Sequence, residues 1–283
     1  MRVIERAVEL SATLDEQRSA GRTVGFVPTM GALHDGHASL IERAAVECDT
    51  VAVSIFVNPL QFVPGEDLAE YPRDLGADLV VAEKAGAAVV FAPTATEMFP
   101  DASRTTVHVA GLGDVLEGAS RPGHFDGVAT AVTKLLALAG RSRSYFGEKD
   151  FQQLVVVGRL VADLSLPVEV VACPTVRGSD GVALSSRNRY LSVDEREAAA
   201  VLHRALRAGA ACVRAGERDP GEVVDLVSAV VEAEPLVTLD YAAVVDPATL
   251  ATPRTLAGEL RLVLGARVGA TRLIDNVAVE VPR

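Results

Sequence analysis

The sequence predicts an α/β protein with a doubly wound parallel sheet followed by a smaller α+β domain. Three observations lead there. Short apolar, β-branched runs, "TVGFVPT" (23–29), "TVAVSIFVN" (50–58), "AAVVFAP" (87–93) and "PVEVVACPTVR" (167–177), read as buried strands bounded by turn residues. Stretches of helical periodicity alternate with them, which implies parallel strands with helices on both faces. After about residue 176 the order changes to two helices and three strand-like runs.

Residues 3–18 carry apolar side chains at helical spacing and predict a first helix. The strand at 23–29 follows, then a loop, then a helix from about Gly36 to Cys48 with Ala38, Ile41, Ala44, Ala45 and Cys48 on one side. With the strand at 50–58 this makes a βαβ unit. A helix at 75–86 leads into the strand at 87–93. Beyond an irregular middle come a helix (127–140), a short strand at "RSYFG", a helix (151–164) and the closing strand. Such a sheet binds its ligands beyond the carboxyl ends of the strands.

The domain division is placed at 1–175 and 176–283. The second part opens on Ser192 with Glu195 three residues later, a capping-box start to a long helix. A helix at 221–233 follows. "LDYAAVVDP" and "ELRLVLGARVG…TRLIDNVAVE" then read as three antiparallel strands.

Bulk properties narrow the function. With 283 residues, 49% of them hydrophobic and 23% charged, the chain can build a full core. A net charge of −11 disfavours nucleic acid and anionic membrane, since both reward positive potential. Cys48, Cys173 and Cys212 are odd in number and widely spaced, which suggests neither a disulfide framework nor a Cys-zinc site. No signal peptide or membrane-length apolar run is present. The expectation is a soluble, cytoplasmic protein.

The chemistry concentrates in "GFVPTMGALHDGHASLIERAAVEC" (25–48). Gly31 and Gly36 let backbone approach a ligand, and the helix N-terminus favours phosphate. His34 and His37 stand at that mouth as hydrogen-bond donors. A satisfied turn histidine is the plainer use of either, and a metal pair lacks an obvious third ligand. No G-x-x-x-x-G-K-[ST] is present, and "GLGDVLEG" (111–118) fails the dinucleotide spacing.

"PTMGALHDGH" resembles the HxGH motif of the nucleotidyltransferase superfamily. Further blocks in order, "SIFVNPLQF" (54–62), "YPRDL" (71–75), "RPGHFDGVATAV" (121–132), "FGEKDFQQL" (146–154) and "LSSRNRYLS" (184–192), are similar to the pantothenate synthetase (pantoate–β-alanine ligase) family. The resemblance implies a Rossmann-like fold of the HxGH type. It also implies condensation of pantoate with β-alanine through a pantoyl adenylate, with ATP as substrate, Mg²⁺ as cofactor and a homodimeric assembly.

It further implies the site. His34, His37, Lys149, Ser186 and Arg187 carry the catalysis. Pro28, Thr29, Met30, Gly147, Asp150, Val176, Leu184 and Ser185 join them around ATP, and Met30, Gln61 and Gln153 take pantoate. Neutral amides suit the pantoate hydroxyls, while Asn58 also fits a plain turn. Lys149 offers an ammonium to the α-phosphate, and Asp150 reads as a helix cap. Ser185 to Arg187 fit either a triphosphate grip or a polar interdomain linker. Arg121, His124 and Asp126 lie in a glycine-rich turn, where His124 is given no chemical role. Asp78 is the candidate metal ligand, although Ala77 stands where the family often has a second acid. The rival reading is a nucleotidylyltransferase acting on a phosphate acceptor, which needs a basic pocket where Gln61 and Gln153 stand.

Overall fold

Alternation of side chains along the apolar runs decides which face each residue serves. The computed structural model describes residues 1–100 and 104–281. Its strands are β1 (Arg2–Ile4), β2 (Val24–Thr29), β3 (Thr50–Ile55), β4 (Val89–Phe91), β5 (Ser142–Gly147), β6 (Val168–Cys173), β7 (Val237–Val245), β8 (Glu259–Val268) and β9 (Thr271–Glu280). Its helices are α1 (Ala7–Ser19), α2 (Asp35–Glu47), α3 (Leu75–Lys84), α4 (Ala95–Met98), α5 (Glu117–Ser120), α6 (His124–Ala139), α7 (Phe151–Asp163), α8 (Val193–Arg214) and α9 (Pro220–Glu232).

The first six strands form one parallel sheet in the order β1-β4-β3-β2-β5-β6. Val24 and Phe26 pack with Leu10 and Leu14 of α1, Val128 and Leu136 of α6, and Val156 of α7. Val27, Val51 and Val53 point the other way, onto Leu40, Ile41 and Ala44 of α2 and Ala82 of α3. Helices therefore cover both faces, as the alternating pattern requires.

The expected first helix is corrected at its start. Residues 2–4 are strand β1, whose Arg2 N–H donates to Ala88 O at 2.9 Å, and α1 begins only at Ala7. A three-residue edge strand is held by its backbone ladder and leaves little side-chain signal.

From β2 the chain builds outward through β3 and β4, then returns to place β5 and β6 on β2's other side. The switch point thus lies between β2 and β5. Their ladder runs through Gly25–Arg143 and Phe26–Ser144 only, so the last residues of both strands are not paired to each other. A crevice at the carboxyl ends follows, flanked by Thr29 and Gly147.

The chain divides into two compact units. The first holds residues 1–114, 121–148 and 153–174; the second holds 115–120, 149–152 and 175–283. The sequence suggested a single cut, whereas two short excursions also group with the C-terminal part. Within that second unit Gln152 donates to Val115 O at 2.8 Å and accepts the Glu117 N–H at 3.1 Å. Glu117 in turn pairs with Arg272 and accepts from the Tyr241 hydroxyl. The unit's core packs α8 and α9 on the antiparallel sheet β7-β8-β9. The Ser192–Glu195 capping box opens α8 as expected.

Candidate active site

The loop between β2 and α2 is shaped by one buried carboxylate. Asp78 on α3, 3% exposed, accepts the N–H of Ala32 at 3.0 Å and of Leu33 at 2.7 Å. The bend needs left-handed backbone at Gly31 (φ 83°) and Ala32 (φ 51°). A Cβ on Gly31 would lie 2.8 Å from Asp78 Oδ2, so glycine is required there twice over. Thr29 ties the strand end down, donating to Ser54 O at 2.7 Å and accepting from Gly31 N at 3.2 Å.

That bend delivers His34 to the N-cap of α2. Its Nδ1 accepts the Gly36 N–H at 3.1 Å, and His37 Nδ1 faces the His34 N–H at 3.4 Å. The two rings form a reciprocal capping box, in which imidazoles replace the usual hydroxyl and carboxylate. A nitrogen that accepts carries no proton, so each neutral ring holds its proton on Nε2. The ring centroids are 4.2 Å apart and both residues are half-buried. The expectation weighed donors to a ligand against satisfied turn histidines, and the structure gives both rings a turn-capping bond. Capping is a second task, and it fixes which nitrogen can donate.

Gln61 ends the 3-10 turn Pro59–Gln61 that follows β3. Its Oε1 accepts from Asn58 Nδ2 at 3.0 Å, which orients the amide with Nε2 as its donor end. Asn58 is 2% exposed, also donates to Gly127 O at 3.0 Å and accepts from Leu60 N at 3.2 Å. Asn58 is therefore structural and Gln61 is the residue it aims.

The "RPGHFDGV" block holds the same turn from below. α6 starts earlier than expected, at His124, after Gly123 in left-handed conformation. His124 Nδ1 donates to Gln61 O at 2.7 Å and its Nε2 accepts from Arg121 at 3.1 Å. Arg121 reaches Gln61 O as well, and pairs with Glu66 at 2.6 Å. Burial pushes the Glu66 carboxyl up, but the Arg121 hydrogen bond and charge outweigh it and keep it below the usual range. Gly127 completes the seat: a Cβ there would meet Leu60 O at 2.0 Å. An isolated glycine inside a helix is the sequence signal for such close approach. Asp126 serves elsewhere, accepting from His108 at 2.8 Å.

The other expected residues of the first unit are Pro28, paired with Ser54 in the β2–β3 register, Met30 at the loop start, Gly147 at the end of β5 and Gln153 in α7. Met30, Gly147 and Gln153 are half-buried, and a Cβ on Gly147 would meet nothing within 4 Å.

The remaining candidates belong to the second unit. Lys149 sits in the 3-10 turn Glu148–Asp150, its Nζ 3.1 Å from Asp150 Oδ1. Asp150, expected as a cap, also faces that ammonium. Val176 and Leu184 close a hairpin, with the Leu184 N–H donating to Val176 O at 2.9 Å. It leads into Ser185, which caps the 3-10 turn Ser186–Tyr190 by accepting the Arg187 N–H at 3.3 Å. Ser186 and Arg187 are half-buried.

Asp78, expected as the metal ligand, has a second task. Both Asp78 oxygens accept backbone amides in a buried position, which makes this carboxylate a loop anchor. Among the described residues no group of three or more His, Cys, Asp or Glu side chains is gathered to hold an ion. No helix of the described residues is long and apolar enough to cross a membrane.

A doubly wound parallel sheet with a histidine-capped crossover at its switch point, followed by a helix-covered antiparallel sheet, defines an α/β enzyme of the HxGH nucleotidyltransferase type. The family model for pantoate-beta-alanine ligase matches residues 2–278. The chain belongs to the pantoate–β-alanine ligase family. A pantothenate synthetase from Heliobacterium modesticaldum is 52% identical over 281 residues, covering 99% of this chain and all of that one. The crystal structure of pantothenate synthetase from Thermus thermophilus is 47% identical, with a TM-score of 0.94 over 99% of this chain and 100% of that one. That of Francisella tularensis pantoate-beta-alanine ligase, complexed with beta-gamma ATP and beta-alanine, is 33% identical, with a TM-score of 0.80 over 98% and 97%. The family sets aside the rival phosphate-acceptor reading.

Proposed function

We propose that this ligase joins pantoate to β-alanine through a pantoyl adenylate. In the first step the pantoate carboxylate attacks the α-phosphorus of ATP and pyrophosphate leaves. No base is needed, because a carboxylate is already ionised at neutral pH. Charge grows on the phosphate oxygens, and the Nε2–H donors of His34 and His37, Lys149, Ser186 and Arg187 stabilise it. The observation carrying this is the reciprocal cap, which commits both Nδ1 atoms to backbone and leaves Nε2 as the donor on each ring. Pro28, Thr29, Met30, Gly147, Asp150, Val176, Leu184 and Ser185 line the nucleotide in this reading.

Pantoate rests on Gln61 and Gln153, whose amides recognise hydroxyls without neutralising the nucleophile, and beside Met30. In the second step the β-alanine amine attacks the acyl carbon and AMP leaves; free amine from solution suffices. Mg²⁺ arrives with ATP as part of the substrate, since Asp78 is committed to the loop. A cytoplasmic location accords with three free cysteines. The homodimer rests on the family resemblance and is checked by light scattering.

The test is pantoate-dependent exchange of labelled pyrophosphate into ATP with β-alanine omitted. Exchange is the expected result. Absence of exchange, with AMP released only when both acids are present, overturns the adenylate.

A further inference from the structure

Arg261 on β8, and Asp275 and Asn276 next to each other on β9, are buried polar side chains in the largely apolar sheet of the second unit. Buried polar groups persist only with partners, so each bond they make is informative. Arg261 Nε donates to Asn276 Oδ1 at 2.7 Å, and Asn276 Nδ2 donates to Lys149 O at 2.9 Å. A guanidinium only donates and a carbonyl only accepts, so the two neighbours fix the amide's orientation without ambiguity.

The turn bearing Lys149 is gripped at three points. Asn276 holds the Lys149 carbonyl, the Arg261 guanidinium lies 4.3 Å from the Phe151 ring centroid, and Gln152 is tied to Val115 and Glu117. Asp275 grips a second element. It accepts both Arg177 terminal nitrogens, at 2.7 and 2.8 Å, and Arg177 bridges Ala183 in the hairpin that leads to Ser185. Asn188 Nδ2 donates back to Ala183 O at 3.0 Å, fastening the turn that carries Arg187.

We infer that Asn276, backed by Arg261, is a positioning residue for Lys149. Neighbouring residues of one strand thereby set the places of the two cationic elements that meet the phosphates. A long ammonium stem is flexible, and a fixed carbonyl at its root sets the point from which it reaches, so the ammonium starts within range of its target. The inference rests on the proposed role of Lys149.

The test compares Asn276→Asp, Lys149→Ala and the double variant in the pyrophosphate exchange assay and in overall turnover. Asn276→Asp keeps an acceptor for Arg261, whose charge it can pair with, but turns an acceptor toward Lys149 O and so breaks that bond. Its kcat should fall about ten- to hundredfold with KM for pantoate nearly unchanged and the thermal transition retained. On top of Lys149→Ala it should cost nothing further, because both act through one group. Normal kcat in folded Asn276→Asp, or a full additional loss in the double variant, overturns the inference. If Lys149→Ala itself turns over normally, the reading of Lys149 fails first, a result distinguishable from the others. Should Asn276→Asp not fold, Arg261→Met, which keeps bulk against Phe151 but removes the donor to Oδ1, must show the same kcat-only loss; normal kcat there also overturns it.

Discussion

Asp78 accepts the N–H of Leu33 at 2.7 Å across 45 residues of sequence, and the same carboxylate takes the neighbouring Ala32 amide. A side chain expected as a metal ligand holds the loop presenting His34. Replacing it with alanine leaves two buried N–H groups unpaired and costs about 2–3 kcal/mol of stability. Asp78→Asn should lower stability and kcat while leaving the Mg²⁺ concentration dependence of turnover unmoved. A rightward shift of that dependence would restore Asp78 as a metal ligand.

The histidine caps separate into two functions that substitution can pull apart. Asparagine reproduces an acceptor near the Nδ1 position but has nothing at Nε2. His34→Asn should therefore keep the melting temperature and lose kcat by about a hundredfold, the scale of one transition-state donor. His34→Ala should lose the same kcat and also about 1 kcal/mol of stability, because the cap goes too. Equal activity of His34→Asn and wild type would remove Nε2 from the mechanism.

The ion pair behind Gln61 predicts a pH dependence. The Glu66 carboxyl is held below its ordinary range by Arg121 despite burial. A folded pKa below the unfolded one gives stability that is complete above the unfolded pKa and lost as pH falls through the folded one. The gap in unfolding free energy between wild type and Glu66→Gln should be constant at neutral pH and shrink on acidification. Denaturant titrations at stepped pH measure it. A gap that does not change down to strongly acid pH would show that ionisation of Glu66 is not what holds the turn.

Much of the fold is legible because β-branched runs and helical periodicity report burial directly. β1 escapes: with Arg2 and Val3 exposed and Ile4 buried, it reads as the start of the following helix. The start of α6 escapes for a different reason. Gly123, His124 and Asp126 look like turn residues, and only the left-handed φ of 85° at Gly123 shows that it precedes the helix. The identities of His34, His37 and Gln61 are legible in their motifs, but what supports them is not. Asp78, Glu66 and Arg121 act through bonds between residues far apart in sequence, which no local pattern encodes, and Gly127 leaves only the hint of a glycine within a helix. The same holds for Lys149–Gln152 and Val115–Ser120, which join the second unit through Asn276 and Arg272.

Gly127 offers the sharpest test of how Gln61 is placed. The helix backbone meets the 3-10 turn so closely that a methyl group would overlap Leu60 O at 2.0 Å and Gln61 N at 2.6 Å. Both contacts are backbone, so a side chain cannot swing aside and the turn itself must move. That shift also strains the Asn58 bond to Gly127 O and the Asn58–Gln61 amide pairing. Gly127→Ala should destabilise by about 1–3 kcal/mol through overpacking, even though alanine favours a helix by nearly 1 kcal/mol. With Gln61 displaced, KM for pantoate should rise about tenfold, the worth of one hydrogen bond, while KM for ATP stays near its wild-type value. Calorimetry and steady-state kinetics together decide the matter: a Gly127→Ala enzyme with wild-type pantoate KM would mean that Gln61 does not bind this acid.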